Sequence, residues 1–252
     1  MGQILGITGM IGSGKSTFAG LLCDIEPNNA TYESGELIAE VAEDFNRALS
    51  GELAFETTSN NIELTNQALI WFIESISEKL HQELTWNQLA ITKHQLAARP
   101  ELFEKLFAYI EAAKAHPTIL DQHITAANKA TYRPLLQWLG GYLVAKVSNT
   151  IWYDEIFRRI SLHDSDKKLV IIGGLRYPSD ALSVRENGGL ILGIERANHE
   201  ADITDVTESA RSEIKPDTII RNHGTLQQLE VIATEVVNDI IIGKLKPEYI
   251  AA

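Results

Sequence analysis

Apolar residues recur along this chain with two different periods. "QILGIT" (residues 3–8) is a short continuous apolar run ending at a glycine-rich stretch, the pattern of a strand buried on both faces. From Lys15 the spacing changes, and Phe18, Leu21, Leu22 and Ile25 fall on one side of a helix. "ATYES" predicts a short second strand, and Leu37, Ile38, Val41, Ala42, Phe45 and Leu49 then keep helical register. "SGELAFETTSNN" breaks that register and predicts a loop. Residues 62–163 read as almost wholly helical, with one stripe of Leu69, Phe72, Ile73, Ile76 and Leu80 and another of Leu102, Phe103, Leu106, Phe107 and Ile110. Pro100, Pro117 and Pro134 punctuate this block at expected helix starts or turns, so that "PLLQWLGGYLVAKV" begins a helix at Pro134.

Beyond residue 163 strands return. "KKLVIIGGLR" and "LILGIER" are buried runs, separated by a helix over "YPSDALSVRENGG" for which Gly188 is placed as the C-terminal cap. "DTIIRNHG" predicts a last strand, and Leu226, Leu229, Ala233, Val236, Val237 and Ile240 line the closing helix. Strands alternating with helices at both ends predict an α/β fold with a mostly parallel sheet. The helical block reads as an insertion: residues 1–50 and 164–252 form the core, and residues 51–163 the inserted lobe.

Composition narrows the chemistry. The net charge is −12, from 34 acidic against 22 basic residues, which argues against a nucleic-acid surface while leaving room for small anionic ligands. A single cysteine, Cys23, allows no intramolecular disulfide and points to a reducing cytoplasm; in "FAGLLCDI" it suits a small apolar role. No secretory leader and no membrane-spanning run is expected. The seven histidines show no paired metal-ligand spacing. Trp71, Trp86, Trp138 and Trp152 suit packing better than stacking on a base.

The strongest chemical signal is "GITGMIGSGKST". Gly9, Gly12, Ser13, Gly14, Lys15, Ser16 and Thr17 carry the spacing Gly-x-x-x-x-Gly-Lys-Ser between a strand and a helix. Glycines let successive backbone N–H groups approach phosphate oxygens, and the helix N-terminus adds partial positive charge. In such a loop Lys15 reaches the β- and γ-phosphates of ATP, and the Ser16 hydroxyl ligates Mg²⁺. The loop names a donor and is silent on the acceptor.

Two further stretches bear on the acceptor. In "YRPLLQWLGGYLVAKVSNTIW", Arg133 suits bidentate phosphate binding and Gln137, one turn on, suits a base edge; by residue type alone a solvated helix face is the favoured role for both. In "VIIGGLRYPSDALSVRENGGLILGIER", Arg176 and Arg196 each follow a buried strand, at the edge where open α/β sheets bind ligands. Arginine there can neutralise a phosphoryl group in flight or form a structural ion pair. Ser34 and Glu36, after the second strand, suit acceptor contacts, with helix capping the better-supported role for Ser34.

Together the loop, "RPLLQWLG" with Trp152 downstream, the "LRYPSDALSVRENGGLILGIER" stretch and "NHGTLQQLEVIA" resemble the bacteriophage-type deoxynucleoside monophosphate kinases. Those belong to a wider nucleotide-kinase group that includes dephospho-coenzyme A kinase. The resemblance covers the loop and most of residues 133–235. It implies a three-layer P-loop fold, ATP and Mg²⁺ as cofactors, and small nucleotide substrates in a soluble protein that is compatible with a homodimer. It further implies that Arg133 and Gln137 line the monophosphate site, that Arg176 lies near the reacting phosphates, and that Asn222 and Gly224 pass near adenine. Residues 196–215, with Arg211 inside them, would form a lid.

The chain also departs from the family. Where the family has an Asp before the arginine of "LRYP", this sequence has Gly173 and Gly174; Asp121 and Asp180 are the acids considered in its place. A family Gly-Thr-Glu becomes Gly140-Gly141-Tyr142, an arginine beyond it becomes Ala145, and a His-x-Ser-Glu in the lid becomes Asp205-Val206-Thr207-Glu208. The expected activity is ATP-dependent phosphoryl transfer to a (deoxy)nucleoside monophosphate. A kinase of another small metabolite and a nucleotide-binding regulator without transfer chemistry are the alternatives.

Overall fold

The first apolar run forms β1 (Gln3–Thr8), buried from its second residue onward. It lies inside a six-stranded sheet of the computed structural model, which describes residues 2–54, 60–196 and 210–251. β2 (Asn29–Glu33), β3 (Leu169–Gly173), β4 (Leu190–Glu195), β5 (Thr218–Asn222) and β6 (Glu248–Ala251) complete it. The order is β2-β3-β1-β4-β5-β6, and every neighbouring pair is parallel. All carboxyl ends therefore share one edge, with the strand order reversing around β1. β6 lies beyond the last strand expected from the sequence. It is four residues long on the sheet edge and buries only Tyr249 and Ala251, too brief a pattern to stand out.

The helices are α1 (Lys15–Ile25), α2 (Ser34–Ala54), α3 (Asn61–Leu80), α4 (Trp86–Leu89), α5 (Lys93–Ala98), α6 (Pro100–Ala115), α7 (Lys129–Lys146), α8 (Ile151–His163) and α9 (Pro178–Glu186). The closing helix, α10, spans Leu226–Ile241. α1 and α10 cover one face of the sheet, where Phe18, Leu22, Leu229 and Val236 meet Leu5, Ile7, Leu169, Ile171, Leu192 and Ile194. α9 covers the other face: a Cβ on Gly6 would stand 3.3 Å from Val184 and 2.9 Å from Leu175. Gly188, at φ 76°, closes α9 as expected. Burial pushes the Cys23 thiol up, with the Asp24 carboxylate adding to it, which suits an inert packing residue.

The chain divides into two compact units, Met1–Ser34 with Ile156–Ala252, and Gly35–Glu155. The second is all helical, and it includes most of α2. Its centre is aromatic: Phe45 meets Phe72 edge-on at 5.4 Å, and Trp138 stacks on Tyr142 at 4.9 Å. Two buried hydroxyls are paired there, Tyr109 donating to Asn46 Oδ1 at 2.7 Å and Tyr142 to the Leu89 carbonyl at 2.6 Å.

Two expectations for this block are corrected. α7 does not start at Pro134 but at Lys129, with Pro134 inside it. Proline there deletes only one backbone bond, close to the helix start where few are formed. The loop expected over residues 50–61 is shorter, because α2 continues to Ala54 and α3 begins at Asn61, capped by the Asn60 side chain accepting from Glu63 N. Residues 55–59 lie outside the described residues.

Candidate functional site

Between β1 and α1 the chain turns through three glycines with positive φ: Gly9 at 148°, Gly12 at 79° and Gly14 at 98°. Two of them also face close neighbours. A Cβ on Gly9 would stand 2.4 Å from the Ile194 carbonyl oxygen, and one on Gly14 would stand 2.5 Å from Asn222 Nδ2. The turn is closed by Ser13 N donating to the Met10 carbonyl at 3.2 Å. α1 then begins, with Phe18 N donating to the Gly14 carbonyl at 2.9 Å. The amides of its first turn have no acceptor within the helix, and they open toward the space over the loop. Ser13 is buried and its Oγ has no hydrogen-bond partner among the described residues, while Ser16 and Thr17 are more open. Lys15 folds back over the loop, its Nζ donating to the Met10 carbonyl at 2.6 Å.

Several elements brace this loop. Asn222, at the carboxyl end of β5, donates from Nδ2 to the Ser13 carbonyl at 2.9 Å. The Leu175 carbonyl accepts from Thr8 Oγ1 at 3.2 Å and from the buried Arg211 Nε at 3.3 Å, and Leu175 N donates to the Ile7 carbonyl at 3.2 Å. Leu175 thus ties the end of β1 to the segment after β3 and to Arg211. A cavity of about 430 Å³ opens beside the loop, lined by Thr8, Gly9, Ser13, Glu195, Arg196 and Arg211 among others. The structure therefore brings together Gly9, Ser13, Arg196, Arg211 and Asn222.

The remaining expected residues fall as follows. Arg176 is exposed just past β3, its backbone N–H donating to Asp180 Oδ2 at 2.8 Å. Tyr177 N donates to the same oxygen at 3.0 Å. Asp180 therefore caps the N-terminus of α9, buried and engaged, which corrects its consideration as the missing acid. Asp121 is exposed in the helical unit. Arg133 and Gln137 lie one turn apart on α7, and both are exposed. Gly224 packs against its own helix start, where a Cβ would stand 2.4 Å from Gln228 Oε1. Of the expected lid, residues 197–209, including the Asp205–Glu208 stretch, lie outside the described residues.

Sequence reasoning misses the bracing roles of Thr8 and Asn222, because each depends on strand neighbours that only the sheet order reveals. Among the described residues no cluster of three or more His, Cys, Asp or Glu side chains is placed to hold a metal ion. The donors present are single oxygen groups, the kind that suits Mg²⁺, which keeps waters and shares substrate phosphates. A glycine turn with a serine hydroxyl on the first turn of α1 fits such an ion.

Among the described residues no helix is long and apolar enough to cross a membrane. A search of curated proteins finds no match. A family model described as deoxynucleotide monophosphate kinase matches residues 3–232. With that match spanning most of its length, and with a strand–glycine loop–helix on a parallel sheet, the chain belongs to the deoxynucleotide monophosphate kinase family and is a phosphotransferase acting on such nucleotides.

Proposed function

We propose that residues 9–17 hold the phosphates of ATP and that the chain passes the γ-phosphoryl group to the phosphate of a deoxynucleoside monophosphate. The observation that carries the donor side is the glycine loop itself. Its three positive-φ glycines let the chain turn tightly into the N-terminus of α1, with Gly9 packed against the Ile194 carbonyl and Gly14 against Asn222. A phosphate seated there replaces the Met10 carbonyl as the acceptor for Lys15 Nζ, so the loop's own contact holds the ammonium ready near the site. Magnesium, when bound at Ser16, would neutralise charge on the phosphate oxygens.

Arg176, exposed at the carboxyl end of β3, is the second cation assigned to the transferring group. Arg196 and Arg211 border the cavity beside the loop and are assigned to the substrates, with Arg211 already positioned by its bond to Leu175. Asn222 and Gly224 are retained near the nucleotide, with Asn222 acting by holding the Ser13 peptide. Arg133 and Gln137 carry the acceptor's phosphate and base; their one-turn spacing on α7 supports this, together with the family resemblance. An acceptor phosphate is already anionic at neutral pH, so no general base is assigned. A hydroxyl acceptor would favour one, which weighs against the metabolite-kinase alternative.

Lys15→Ala tests the assignment. Removing one preorganised cation lowers kcat by about 10²–10³-fold while melting behaviour is retained. Turnover at the unaltered level in that variant contradicts the assignment of the loop.

A further inference from the structure

β2 and β3 run parallel with Glu33 paired to Gly173, each the last residue of its strand. Paired residues of adjacent strands point to the same face. Leu169 and Ile171 lie in the core beneath α1 and α10, so by alternation Gly173 and Glu33 belong to that face too. Gly173 is buried and has no side chain to fill its place. The Glu33 side chain fills it instead: a Cβ on Gly173 would stand 2.7 Å from Glu33 Oε1, 3.0 Å from its Cγ and 3.2 Å from its Cδ. Glu33 therefore lies across the end of β3, on the side of that strand's ligand-binding edge. Its carboxylate makes no hydrogen bond or ion pair with any described residue, although Tyr32, just before it, is tied to Asp164.

Glu33 is exposed, so its side chain lies over the neighbouring strand at the ligand-binding edge of the sheet with its carboxylate open to solvent and to a bound ion. A side chain on Gly173 would displace the Glu33 carboxylate from that space. The two positions are thus alternatives for delivering one carboxylate to one place, on the face of the sheet that carries α1 and Ser16. We infer that Glu33 is the acid that supports Mg²⁺ on the bound triphosphate, reaching over Gly173 from β2 in place of an acid on β3. This rests on reading residues 9–17 as the ATP site. Glu33 acts as a positioning residue, accepting hydrogen bonds from waters of the hydrated ion; a single carboxylate plus phosphates is ordinary company for Mg²⁺.

The test reads binding rather than turnover. The affinity of the full-length protein for a fluorescent ATP analogue is measured with Mg²⁺ and with chelator, for the unaltered chain, Glu33→Gln, and the double variant Glu33→Ala/Gly173→Asp. Glu33→Gln is expected to lose about 10–100-fold of the Mg²⁺-linked gain in affinity while binding the metal-free analogue no more weakly. The double variant is expected to recover most of the gain, because the aspartate introduced on β3 enters the space that the Glu33 carboxylate vacates. Full retention of the gain in Glu33→Gln overturns the assignment, as does a double variant that melts like the unaltered chain yet recovers nothing. No binding of the analogue by the unaltered chain overturns the ATP-site reading itself, and this assignment with it.

Discussion

At the scale of single residues, the loop depends on atoms that are absent. Gly14 sits at φ 98°, where an L side chain is strained by about 1–2 kcal/mol, and its missing Cβ leaves room for Asn222 Nδ2. Asn222 in turn satisfies the Ser13 carbonyl. Gly14→Ala and Asn222→Ala are each expected to weaken ATP binding and lower stability, the second by about 1–3 kcal/mol through an unsatisfied buried acceptor. The double variant costs less than their sum, because without the Asn222 amide the alanine methyl loses its closest clash. Thermal melts over the four-member cycle measure this coupling, and strict additivity contradicts the contact. The glycines themselves are legible in the sequence, since each answers to a backbone need that the spacing announces. Asn222 reads there only as an adenine neighbour, because nothing in "RNHG" reveals that β5 ends beside the loop. Glu33 is unreadable for a similar reason: its reach over Gly173 exists only once β2 and β3 are in register.

At the scale of elements, the sequence tells most where one period runs long. β1, α1, β3, α9, β4 and α10 are all legible from runs or stripes of apolar residues. Short or half-polar elements are legible only in part, for "ATYES" and "DTIIRNHG" do announce β2 and β5. β6 escapes the pattern, and Pro134 hides the first turn of α7. β6 nevertheless anchors the sheet edge through Tyr249, whose hydroxyl donates to Asp239 Oδ2 at 2.7 Å and accepts from Lys246 N at 3.1 Å. Burial first, and the Asp239 carboxylate after it, push Tyr249 up to about 12 from 10.0, against an opposing pull from the Lys246 N–H. Burial also raises Tyr32, Tyr109 and Tyr142. A phenol whose pKa is higher folded than unfolded holds its proton more tightly in the folded state. Its contribution is complete below about pH 10 and is lost as pH rises toward the folded value. Melting temperature is therefore expected to begin falling above about pH 10, and Tyr249→Phe to reduce the slope between about pH 10 and 12. An identical slope in that variant contradicts the role given to Tyr249.

At the scale of the whole molecule, the parallel sheet with its strand order reversing at β1 places the glycine loop, the end of β3 and the Arg196–Arg211 cavity along one edge. A family match over residues 3–232 says which reaction the chain performs, and the proposed site puts that reaction at this edge. The helical unit of Gly35–Glu155 carries Arg133 and Gln137, the two residues proposed for the acceptor, and its role is the least legible part of the chain. Its stripes describe a core rather than a ligand. In the proposed reaction, ATP on the loop gives its γ-phosphoryl group to a deoxynucleoside monophosphate. A coupled assay for ADP release across deoxy- and ribonucleoside monophosphates, with dephospho-coenzyme A as a further acceptor, tests it most directly. Acceptor-dependent ADP with at least one deoxynucleoside monophosphate and none with dephospho-coenzyme A is the predicted result. ATP binding with no acceptor-dependent ADP across the panel would contradict it.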